Sequence, residues 1–179
     1  MKNKAQSGIG TLIVFVAMLL VAAVAAGVLI QTTGSLQNRA LTTGSQSQSQ
    51  ISTHLDVIKV TGFNGTDSAI ENISVLIRLA PGSDNIYLNN TVITLDRASS
   101  STNIARSSIV VSYISAGSTA NDYLKLGDLV ELTFDVGTAL SGSEKVKLTI
   151  IPKVGIPTTV EFTTPEVIAD YKISLYPMN

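Results

Sequence analysis

The chain has 179 residues, no cysteine, a formal net charge of -1 and only 14% charged residues, against about 25% in ordinary soluble domains. That length holds one ordinary domain with an appendage, not two large domains. The missing thiols exclude disulfides and thiolate metal sites, and the missing basic field excludes nucleic acid as a partner. Stability must therefore come from apolar burial, hydrogen bonding or assembly with neighbours. A surface rich in Ser, Thr and Asn but poor in charge suits close packing between subunits, or a coat of sugar.

The first predicted element is the nearly continuous apolar run from Ile9 to Ile30. As a helix it is roughly 33 Å long at about 1.5 Å per residue, which matches the roughly 30 Å hydrocarbon core of a bilayer. Lys2 and Lys4 precede it and stay on the cytoplasmic side. Three readings compete. A secretory signal has a positive start, an apolar middle and A-x-A-like sites, here around Ala23 and Ala25. The apolar run, however, continues through "GVLI" beyond that cut and exceeds the usual signal core. A plain single-pass anchor is the second reading. The third is a pilin-like segment, cut on the cytoplasmic face before the apolar run, whose helix survives to become the core of a filament. Ala22 and Ala26 are four apart, as are Ala23 and Gly27. Such spacing lets helix backbones approach closely in an apolar medium, although small residues are common in membrane helices generally.

The order of residues adds to the third reading. "SGIGTLIVFVAMLLVAAVAAGVLIQTTGSLQ", Ser7 to Gln37, closely resembles the N-terminal segment of archaeal flagellins, or archaellins, which build the rotating swimming filament of archaea. The C-terminal "TTVEFTTPEVIADYKISLYP" resembles the family in pattern only. The resemblance implies a class III leader, residues 1–5, removed by a prepilin-type peptidase between Ala5 and Gln6, with a cut after Lys4 as the fallback. The family usually carries Gly before the cut, and this chain does not. It implies that Ile9, Leu12, Phe15, Met18 and Leu19 lie in the filament core with the small residues Ala22, Ala23, Ala26 and Gly27. It also implies partners: copies of the same chain, the peptidase, the assembly and motor machinery, and the membrane before assembly. Bacterial type IV pilins carry a Glu early in this helix. Here that region is Gly10 and Thr11, which spares an unpaired carboxylate in an apolar bundle.

Gln31 to Thr53 is polar with one charge, Arg39. Composition alone reads as a flexible linker, and Gly34 and Gly44 weaken helix. The resemblance implies that the helix continues to about residue 50; a bend is expected near Gly44. The helix is thus assigned residues 6–53.

From His54 the apolar rhythm changes to period two. Strands are predicted at His54–Gly62, Ile73–Ala80, Thr91–Arg97, Ser108–Ile114, Asp128–Val136, Glu144–Ile151, Thr158–Thr164 and Tyr171–Pro177. Val130, Leu132 and Phe134 share one face, as do Val146, Leu148 and Ile150. Turn clusters such as "FNGTD", "PGSDN" and "IPKVGIP" separate them. The fold class is α+β: a long N-terminal hydrophobic helix followed by an antiparallel, Ig-like β-sandwich over residues 54–179.

No catalytic or cofactor motif is present: no P-loop, no G-x-S-x-G, no H-E-x-x-H. His54 is the only histidine and reads as structural. Asp56, Asp67, Asp84 and Asp135 lie in or beside loops but fit no EF-hand spacing. Asn64, Asn72 and Asn89 open N-x-S/T sequons, with turns around Asn64 and Asn89 leaving room for a glycan. The expectation is a non-enzymatic filament subunit without cofactor. An adhesive pilus subunit and a membrane-anchored surface binding module are the rivals.

Overall fold

The apolar N-terminal run and the polar stretch behind it form one helix, α1, Lys2–Ser52. The computed structural model describes residues 2–65, 68–115 and 122–177, with side chains described from residue 7 onward. Two units divide the chain, Met1–Gln46 and Ser47–Asn179. Ala and Leu drive helix in the apolar half. In the polar half the threonines join the helix rather than compete with it: Thr32 and Thr33 donate their hydroxyls to the Leu29 carbonyl, and Thr42 donates to Asn38. The helix runs through Gly44 without interruption; a linker reading of this stretch does not hold.

The second unit contains two main antiparallel sheets. The first combines β1 (Leu55–Asn64), β2 (Ile70–Leu79), β6 (Ile109–Ser115), β8 (Leu129–Leu140) and β11 (Lys172–Tyr176) in the order β11-β1-β2-β8-β6. The second combines β4 (Val92–Arg97), β5 (Ser101–Ile104), β9 (Lys145–Ile151) and β10 (Thr158–Thr163) in the order β10-β9-β4-β5. A two-residue pair, β3 (Ile86–Tyr87) with β7 (Tyr123–Leu124), completes the set among the described residues.

Strict alternation sends the apolar side chains inward. Val130, Leu132 and Phe134 of β8 stand opposite Ile77, Val75 and Ile73 of β2, and all six are buried. Val146, Leu148 and Ile150 of β9 meet them from the other sheet within a single apolar cluster, together with Ile93 and Leu95 of β4. Full burial of each such side chain is worth about 1.5–3 kcal/mol. The register of β8 on β2 slips between Asn72↔Asp135 and Ile70↔Leu140. Gly137, at φ +78°, takes the left-handed conformation within the slip, and Leu140 turns back into the core.

Candidate functional site

Three features carry functional chemistry: the apolar helix, the collar where the helix meets the sandwich, and the sequons.

On α1, Ile9, Leu12, Phe15, Met18, Leu19, Ala22, Ala23, Ala26 and Gly27 are all exposed; Phe15 stands 63% open and Met18 67%. A Cβ placed on Gly27 would meet nothing within 4 Å. α1 is long and apolar enough to cross a membrane. Burying side chains of this kind is favourable, so a helix this apolar calls for an apolar partner. Ala5 and Gln6 fall within its helical backbone.

The end of α1 is tied to the sandwich by an interlocking set of polar contacts within the second unit. The Thr53 carbonyl accepts from the Ile156 amide at 2.9 Å, and its hydroxyl accepts from the Asp84 amide at 3.3 Å. The Ser83 hydroxyl accepts from the His54 amide at 2.9 Å and lies 3.2 Å from the Ser52 and His54 carbonyls. Thr53 is 1% exposed. Gly155 sits against it at φ +119°, where a Cβ would lie 2.6 Å from the Thr53 carbonyl oxygen. His54 belongs to this collar, as its place in the sequence implies. Its Nε2 lies 3.7 Å from Asp56, which also faces the Arg78 guanidinium at 3.4 Å.

The aspartates do not converge. Asp135 accepts from the Gly137 amide at 2.6 Å, Asp56 is paired as above, and Asp84 serves the collar through its backbone. Asp67 lies outside the described residues. Among the described residues no three carboxylate, histidine or cysteine groups come together in a way that could hold a metal ion.

The sequons differ sharply. Asn64 is half-buried at the end of β1; its Nδ2 donates to the Ile168 carbonyl at 3.4 Å, and its Oδ1 is buried without a partner. Asn72 is exposed in mid-strand opposite Phe63 and Asp135, while Ser74 of the same sequon is buried and bonded to Glu131. Asn89 is exposed in the 3-10 turn Leu88–Asn90.

Sequence reasoning did not foresee two side-chain arrangements. The Arg97 guanidinium is almost fully buried and donates to the Val136 and Thr138 carbonyls, with Glu144 3.9 Å away. It clamps β4 to the slipped part of β8. On β6, burial and the carboxylates of Asp122 and Asp128 raise the Tyr113 phenol above its ordinary pKa, and its hydroxyl donates to the Tyr123 carbonyl at 3.1 Å. Nothing in the local sequence of either residue signals these long-range partners. Among the described residues β6 is an edge strand, and it holds no charged residue; Val110 is 67% exposed on it, and Ile114 is exposed as well. Such an edge is open to pairing with another chain.

A model of the archaeal-type flagellin family matches residues 5–162. Flagellin B1 of Natrialba magadii is 36% identical over 182 aligned positions, covering 92% of this chain and 90% of that one. Flagellin B1 of Methanococcus voltae is 38% identical over 198 positions, covering 91% of each chain. Among solved structures, the archaeal flagellum of Methanospirillum hungatei strain JF1 superposes with a TM-score of 0.76 at 20% identity, covering 90% of this chain and 99% of that one. At that identity the likeness speaks to fold.

Proposed function

The chain belongs to the archaeal-type flagellin family, and from that premise we propose that it is a structural subunit of the archaellum filament, polymerising through α1. The role is physical. The observation that carries it is the long apolar helix whose side chains are exposed along the span from Ser7 to Ile30.

The precursor rests in the membrane by this helix, with Lys2 and Lys4 held at the cytoplasmic face. A prepilin-type peptidase removes the leader between Ala5 and Gln6, so no lysine has to enter the bundle. The helix then exchanges lipid for copies of itself. Both surroundings are apolar, so hydrophobic burial does not separate them; close packing does. Ala22, Ala23, Ala26 and Gly27 let backbones approach, and Ile9, Leu12, Phe15, Met18 and Leu19 fill the spaces between. The sandwiches form the outer shell, where the uncharged β6 edge and its exposed Val110 and Ile114 face neighbouring copies. Torque and nucleotide hydrolysis come from the motor machinery, since no nucleotide motif is present here.

Shearing the cell surface and sequencing the N-terminus of the released filaments tests this directly. The expected result is this chain, in filaments, starting at Gln6, with loss of swimming on its deletion. A chain beginning after Ala26, or one recovered only as a detergent-soluble monomer, overturns the proposal. Loss of attachment without loss of swimming identifies an adhesive pilus subunit instead.

A further inference from the structure

Asn89 differs from the other two sequon asparagines in what stands beside it. Its Nδ2 donates to the phenol oxygen of Tyr87, two residues earlier, at 3.2 Å. Tyr87 pairs across the β3–β7 ladder with Tyr123. Their rings lie 4.7 Å apart between centroids, tilted by 39°, and Tyr123 is exposed. An exposed amide thus adjoins a two-ring aromatic platform at the surface. Asn64 offers no such opening, because its amide is engaged with Ile168 and its oxygen is buried.

We propose that Asn89 carries an N-linked glycan whose first sugar ring rests on the Tyr87–Tyr123 pair. The proposal builds on the outward placement of the sandwich in the filament reading above. Aromatic faces carry partial negative charge, and the C–H face of a pyranose carries partial positive charge. The two stack, while the sugar hydroxyls stay in water. In the transfer, Asn89 Nδ2 bonds to the anomeric carbon of a lipid-carried sugar phosphate. The carbon–oxygen bond to phosphate breaks, its electron pair leaves with the phosphate, and Nδ2 releases one of its two protons. The remaining N–H still donates to the Tyr87 hydroxyl, so the contact survives modification. Thr91, the third sequon residue, is buried in the folded chain, its hydroxyl 3.5 Å from the Tyr87 carbonyl. A transferase that reads this hydroxyl therefore acts before the turn closes.

The sequence makes the test clean. Trypsin cuts after Lys59, Arg78 and Arg97, so peptide 79–97 contains Asn89 alone of the three, and peptide 60–78 contains Asn64 and Asn72. In the full chain recovered from the native cell surface, peptide 79–97 should carry a sugar mass that disappears in Asn89→Gln. An unmodified 79–97 overturns the proposal and leaves the filament reading intact; a modified chain found only as a membrane monomer does the reverse. The aromatic seat is tested without any variant, by proton NMR of the intact glycoprotein. Sugar ring protons shifted upfield by the tyrosine rings support it, and shifts equal to those of the free glycan overturn it. Tyr123→Leu should shrink the upfield shift to the part that Tyr87 supplies while leaving the mass on peptide 79–97; a shift unchanged in this variant also overturns the seat on the pair.

Discussion

The two units of this chain are both rich in apolar residues, and they use them in opposite ways. From Ile9 to Ile30 the helix leaves every one of them exposed. The sandwich folds its own inward, so that Phe134, Leu132 and Leu148 are at most 2% exposed. A sheet with a covered face satisfies its own hydrophobic demand. A helix that is apolar all round cannot, and its need for a partner has to be met by lipid or by other copies. The sandwich is therefore a folding unit, and the helix is an assembly unit whose stability belongs to the assembly.

Breaking one unit should leave the other intact. The largest expected effect is that of Ala26→Glu. It leaves the melting of the sandwich unchanged and abolishes filaments, because a carboxylate in an apolar bundle lacks compensation. Normal filament yield from this variant sinks the packed role of Ala26. Gly155→Ala is intermediate and acts on the other side of the division. A residue forced to φ +119° against the Thr53 carbonyl loses about 1–3 kcal/mol, read as a lower urea midpoint for the sandwich. Membrane insertion of the precursor stays as in the wild type. The smallest effect concerns the surface pair Lys145–Glu161, 3.0 Å apart. A hydrogen bond from Lys145 holds the Glu161 carboxyl below its ordinary value. A depressed carboxylate stabilises the fold above its unfolded pKa, and that stabilisation is lost as pH falls through the folded one. Lys145→Gln should raise the Glu161 titration midpoint in an NMR pH series while leaving stability at neutral pH nearly untouched; an unmoved midpoint shows that Lys145 is not the cause.

The same division governs what could be read without coordinates. Val130, Leu132 and Phe134 declared β8 by alternation, and Val146, Leu148 and Ile150 declared β9, because a half-buried strand writes its period into the sequence. "STNI" at Ser101–Ile104 has no such alternation, and the β3–β7 pair is two residues long, so neither leaves a periodic trace. The apolar half of α1 was legible from composition. Its polar half was not, since "QTTGSLQNRALTTGSQSQSQ" is linker chemistry on its face and only the resemblance called it helix. The threonine hydroxyls become helix-compatible once they bond to their own turn. The three sequons were equally visible as text. What separates them is the Ile168 carbonyl, 104 positions from Asn64, and Tyr123, 34 positions from Asn89. The collar at Thr53 was invisible for the same reason: Ser83 and Gly155 reach it from loops far along the chain.

One property of the helix reaches beyond folding. No ionisable side chain stands between Lys4 and Arg39, so over that stretch cohesion among such helices contains no side-chain charge pair that dissolved ions can screen. A shaft assembled from them would lean on close packing along that stretch, and charge effects would enter only at its ends, through Arg39 and any amino group that a leader cut exposes.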